Sequence, residues 1–112
     1  MTNPMDQIRV AFEAMEMKKI TVPEWGNMEI WCLPRTTDEQ RQLREKADKR
    51  STEEMVAFSI VLLSRLESGD KKFKVTDAAG LMTTTPAQVL ARVSTEIIQA
   101  FDDPDNADIE KN

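Results

Sequence analysis

Two carboxylate pairs, Glu53-Glu54 and Asp102-Asp103, and one thiol, Cys32, are the groups in this sequence best suited to proton transfer or nucleophilic attack. A general acid needs one carboxyl buried and raised in pKa while its neighbour stays ionised. Glu53-Glu54 falls at a helix start, where acids complement the helix dipole. Asp102-Asp103 opens a polar tail. Cys32 alternates with Met28 and Ile30 and has no cation cluster nearby to favour a thiolate, so it reads as a small buried hydrophobe. The chain of 112 residues has no histidine. That removes the imidazole base, the His ligand to a metal and the Ser-His or Cys-His dyad. Gly69 and Gly80 are isolated, so no glycine-rich phosphate loop forms. These residues predict no catalytic site, no cofactor and no metal, and a protein that is not an enzyme.

The side chains that stand out are instead suited to binding. Ile20-Thr21-Val22-Pro23-Glu24-Trp25-Gly26-Asn27-Met28-Glu29-Ile30-Trp31 holds both tryptophans of the chain. Ile20 and Val22 alternate around Thr21, then Pro23 to Asn27 punctuate, and Met28, Ile30 and Cys32 alternate with Glu29, Trp31 and Leu33. This is a two-strand hairpin with a five-residue, glycine-containing connection, ended by Pro34. Its second strand is apolar on both faces, and two strands alone are marginal in water. One face should meet helices, the other a second chain or the N-terminal helix. Trp25, Trp31, Leu33 and Met28 are therefore the candidate partner or self-association surface. Of seven methionines, Met5, Met15, Met17, Met28, Met55 and Met82 are spread over the predicted apolar faces. Core filling is the default expectation for them, and an adaptable binding surface the alternative.

The elements that position these residues are mostly helical. Asn3-Pro4 reads as an N-cap and first helical position, with Ile8, Phe12 and Met15 at helical spacing to about Met17. Thr37-Asp38-Glu39-Gln40 reads as a capping box with Thr37 at the cap, opening a solvated helix to about Lys49 with only Leu43 and Ala47 apolar. Ser51-Thr52-Glu53-Glu54 is a second box. It opens a segment, Met55 to Leu63, with Ser59 its sole polar residue, which predicts a buried central helix to about Leu66 with Gly69 as stop. Thr76 caps a brief helix to Met82, and Thr85-Pro86 starts another to Phe101 with Val89, Leu90, Val93, Ile97 and Phe101 on one face. The fold class predicted is mainly α, four to five helices with a small N-terminal β-hairpin packed on them. Residues 1–101 form a single helical domain with the hairpin at about 19–33, and 102–112 form a disordered acidic tail.

Net charge is −5, of which five acids and one lysine after Phe101 contribute −4, so the body is near neutral. That disfavours nonspecific nucleic-acid binding. Even so, Val75 to Ile98 has the look of a helix-turn-helix, in which Thr84, Thr85, Gln88 and Arg92 would meet base edges. A helix-turn-helix DNA-binding transcriptional regulator is the alternative function. No apolar run approaches the roughly 20 residues of a membrane span. The lone cysteine and the lack of an apolar leader fit a soluble intracellular chain.

Val22-Pro23-Glu24-Trp25-Gly26, the alternating strand Met28 to Leu33, the capped helix from Thr37, the apolar helix Met55 to Leu66, Phe73 to Val75 and the closing helix Pro86 to Phe101 together resemble tail assembly chaperones of bacteriophages with long, non-contractile tails. The resemblance covers residues 18 to 101. It implies a non-enzymatic role in the host cytoplasm: binding the tape-measure protein, keeping it soluble, helping recruit tail-tube subunits, and leaving before the virion is complete. It also implies self-association and a longer form made by programmed −1 frameshifting, through which the tail-tube protein would be met. Glu110-Lys111-Asn112 can be encoded as GAA AAA AAC, which contains a slippery heptamer. Nucleic acid and membrane are not expected partners.

Overall fold

The structure, a computed structural model, describes residues 3–48 and 51–101. Within them the chain is mainly α with a small N-terminal hairpin: α1 (Pro4–Glu13), β1 (Lys18–Val22), a 3-10 turn (Pro23–Trp25), β2 (Met28–Cys32), α2 (Thr37–Ala47), α3 (Thr52–Leu63), α4 (Asp77–Thr84) and α5 (Ala87–Gln99). The acidic tail and the Asp102-Asp103 pair lie outside the described residues.

β1 and β2 pair antiparallel, with Ile20 opposite Ile30 and Val22 opposite Met28. The connection turns because Gly26 and Asn27 both adopt the left-handed conformation, at φ 67° and 60°. Period-two alternation then sorts the hairpin. Val22, Ile30 and Cys32 are buried against the helices, while Lys19, Thr21, Glu29 and Trp31 occupy the other face.

α3 is the axis of the fold. Residues Ala57 to Leu63 are all buried, and α2, α4 and α5 pack around it. Its one polar core residue, Ser59, meets Ser94 of α5 at 2.7 Å and donates on to the Val56 carbonyl at 2.8 Å. Ser51 caps it as expected, with Glu54 returning the bond to the cap backbone.

Several boundaries and caps differ from the sequence reading. The first capping box uses Thr36 and Glu39, not Thr37 and Gln40. Glu39 can make two kinds of bond at once: its Oε1 accepts from Thr36 N–H at 3.0 Å while its Oε2 accepts from cations. α3 ends at Leu63 rather than Leu66, because Arg65 leaves the helix to pair with Trp31, each N–H reaching the other's carbonyl at 2.9 Å. α5 begins at Ala87 with Pro86 as cap residue. The Thr85 hydroxyl, expected to cap it, instead accepts from the Trp25 indole N–H at 3.3 Å. α1 stops at Glu13 rather than near Met17. Thr76 makes no capping bond; at the start of α4 the Asp77 carboxylate accepts from Lys74 N–H at 2.8 Å.

Candidate functional site

The four residues singled out in the sequence fall at different places on the hairpin. Trp25 ends the 3-10 turn, half-buried against the core, with its indole fixed to Thr85. Beside it Glu24 takes both guanidinium nitrogens of Arg92, one at 2.6 Å. The Val22-Pro23-Glu24-Trp25-Gly26 pentapeptide is thus the joint between hairpin and α5. Arg92 hydrogen bonding holds the Glu24 carboxyl down at about 2. Arg92 is in turn raised, chiefly by Glu24 and also by Glu96.

Trp31 lies on the other face of the hairpin and is half-buried without belonging to the core. Lys19 sits over its ring at 5.8 Å and pairs with Glu29 at 3.1 Å. Leu33 and Met28 are half-buried, Leu33 following the strand of Trp31 and Met28 on the core-facing side. The structure therefore does not bring the four into one patch. Trp31 and Leu33 share the outer face, while Trp25 belongs to the α5 joint.

Sequence reasoning missed Arg65 and Glu39, which organise that outer face. The Arg65 guanidinium donates to the Gly69 carbonyl at 2.8 Å and to Glu39 at 3.2 Å, and lies 5.8 Å from the centre of the Phe12 ring. Glu39 is buried and also accepts from Lys71, whose ammonium reaches the Leu62 carbonyl at 2.6 Å. Burial by itself would raise the Glu39 carboxyl. The Lys71 and Thr36 hydrogen bonds and the charges of Lys71 and Arg65 outweigh it, so it lies below its ordinary value. Arg65 and Glu39 are far apart in sequence and carry no local pattern, so no sequence signal marks them as a pair.

Through Phe12, α1 is brought beside this face. Arg9, Phe12, Met17, Leu33, Arg65 and Gly69 surround a cavity of about 290 Å³ there. Yet α1 buries none of its residues. Met5, Ile8 and Met15 are 61%, 60% and 47% exposed. Met5 and Ile8 share one face of α1 with Phe12; Val10, 62% exposed, lies on the opposite side, and Met15 follows the end of the helix. The core-filling expectation for methionine is corrected as well. None of the six methionines among the described residues is buried: Met5, Met15 and Met82 are exposed, and Met17, Met28 and Met55 half-buried. β-branched residues and leucines, with better-defined rotamers, make up most of the core, and Met55 alone of these methionines packs against it.

Of the groups with catalytic potential, Cys32 lies in the core and Glu53 and Glu54 at a helix start. Cys32 is 1% exposed, and burial pushes its thiol up to about 11, the Arg65 charge pulling weakly the other way. Glu53 and Glu54 are in the first turn of α3, Glu54 engaged in the cap. Among the described residues no group of three or more acids or thiols is placed to hold a metal, and no helix is long and apolar enough to cross a membrane. No protein-family model, no curated protein and no solved structure matches this chain.

Proposed function

We propose that this protein is a tail assembly chaperone of bacteriophages with long, non-contractile tails, acting in the host cytoplasm without enzymatic chemistry. It binds the tape-measure protein, helps recruit tail-tube subunits through a frameshifted longer form, associates with itself, and is absent from the finished virion. The observation that carries this reading is the exposed apolar side chains Met5 and Ile8 on α1, the helix whose Phe12 meets Arg65 beside Leu33. A tape measure is a long helical protein with apolar surface. A flexible, methionine-bearing helix face suits reversible cover of such a surface. The pentapeptide resemblance supplies the family.

The test is co-expression with the neighbouring tape-measure gene. Wild-type protein raises the soluble yield of tape measure, and Met5→Glu with Ile8→Glu abolishes the gain while the fold persists. A tape measure that stays insoluble beside well-folded wild-type protein refutes the proposal.

The second reading, a helix-turn-helix regulator, draws on α4 and α5, which meet at Thr85-Pro86 and leave Thr84 and Gln88 exposed. Against it, Arg92, the one cation on α5, is engaged by Glu24 and lies 3.8 Å from Glu96. Duplex DNA titrated at several salt concentrations separates the readings, since a regulator binds with a steep salt slope.

A further inference from the structure

Away from α1, a groove of about 560 Å³ opens where the end of β2 and the start of α2 meet the end of α5. Its floor is apolar, made by Leu33, Ile98 and Phe101 among others. Its rim carries Arg35, Arg41 and Arg44, and among the described residues no carboxylate lines it. Asp38 and Glu45 hold Arg41 from the flank, both on the exposed surface of α2.

We propose that this groove is the docking site of the protein's own acidic segment, residues 102–112. Two observations carry it. The first is connectivity: Phe101, the last described residue, itself lines the groove, so the acidic segment leaves from within it. Eleven residues reach up to about 36 Å when extended, whereas α2 from end to end is only about 16 Å long, so the whole arginine rim is within range. The second is charge. The segment has Asp102, Asp103, Asp105, Asp108 and Glu110 against the single Lys111, and the rim it faces carries three guanidiniums, of which Arg41 is already shared with Asp38 and Glu45. Guanidinium forks match carboxylates in geometry as well as charge. Ile109 is the segment's one large apolar side chain, available to the floor. Docked there, the segment shields Ile98 and Phe101 from water and reserves the groove against any other acidic ligand. The inference does not depend on the chaperone reading.

A nitroxide placed in the full-length protein by Ala107→Cys tests it, because that position spares every acid. Cys32 is buried and stays unlabelled. The expected result is selective broadening of the Leu33, Thr37 and Arg44 amide signals at ~10 mM salt, where the Debye length is about 30 Å, and its loss near 1 M, where it is about 3 Å. Arg44→Glu, and separately Asp105→Asn with Asp108→Asn and Glu110→Gln, abolish the broadening; the second set leaves every described residue intact. Broadening that is absent or spread evenly over the protein overturns the proposal. So does broadening seen only when the nitroxide is on one copy and the isotope on another, which would assign the groove to the segment of a second copy.

Discussion

Replacing Glu39 by glutamine keeps the side chain's size and removes one negative charge from between two cations. The Thr36 N–H can still donate to the amide oxygen, and Lys71, 42% exposed, keeps the Leu62 carbonyl and turns toward water. Arg65 is the loser: at 12% exposure it retains the Gly69 carbonyl but no counter-charge among these contacts. Removing one partner of a fully buried pair costs about 3–5 kcal/mol, and an exposed pair contributes at most about 1 kcal/mol. With one cation buried and one half in water, Glu39→Gln should cost roughly 2–3 kcal/mol, which at about 4 °C per kcal/mol for a chain of this size lowers Tm by about 8–12 °C. Glu39→Ala also loses the bond from Thr36 N–H, about 1 kcal/mol more, while the Thr36 hydroxyl still accepts from the backbone N–H of residue 39. Urea unfolding near neutral pH, with the m-value unchanged, measures both. A Glu39→Gln variant within about 0.5 kcal/mol of wild type refutes the argument that this carboxylate joins α2 to the segment after α3. The pH dependence gives an independent check. The folded carboxyl lies below its ordinary 4.5. Its contribution is therefore complete above that value and lost as pH falls through the folded pKa. The gap between wild type and Glu39→Gln should be flat near neutrality and narrow only below about pH 4.5.

Other expectations follow from the same structure. Gly26 sits at φ 67° with open space around a would-be Cβ, so Gly26→Ala should cost about 1–2 kcal/mol by backbone conformation alone, read as a shift in urea midpoint. Cys32 should ignore a disulfide reagent at mildly alkaline pH in the native protein and react at once in denaturant, since burial holds its thiol up at about 11. Ile8→Glu should leave stability within about 0.5 kcal/mol because its site is 60% exposed, while reducing any self-association seen by light scattering. Trp31→Ala should weaken that association with the helical circular dichroism unchanged, and loss of helix would show that its main-chain partner Arg65 depends on the indole.

Elements with local causes were legible in the sequence. The Asn3-Pro4 start, the five-residue hairpin connection, the Ser51 cap and the burial of α3 all follow from residues within one turn of each other. What escaped depends on distant partners. Thr36 and Thr37 are equal candidates for a cap until Arg65 and Lys71 arrive from 26 and 32 residues away to hold Glu39. Ser64-Arg65 has no strand pattern and leaves the helix only because β2 offers Trp31 an open edge. Thr85 loses its cap role to an indole 60 residues earlier. The candidate surface was half legible. Trp31 and Leu33 were marked by alternation, and Ile8 by helical spacing with Phe12 and Met15, but nothing local shows that the body would leave Met5 and Ile8 bare.

The bareness of α1 and the firmness of the Glu39 net belong together. Arg65 takes part in both, since its guanidinium faces the Phe12 ring on one side and Glu39 on the other. A cation–π contact of that kind contributes about 0.5–1 kcal/mol at a partly exposed site, and α1 buries nothing else that would hold it. Covering a single isoleucine or methionine side chain fully is worth about 1.5–3 kcal/mol. A partner that covers Met5, Ile8 and Met15 therefore gains several times what it costs to lift α1 from Arg65. The body does not follow, because Arg65 remains fixed by Glu39, by the Gly69 carbonyl and by its main-chain pair with Trp31. The hairpin and helices α2 to α5 share one core, whereas α1 adds no buried residue to it and meets it through the Phe12–Arg65 contact, so a partner drawn to apolar surface would meet α1, rather than the tryptophans alone, at the smaller cost.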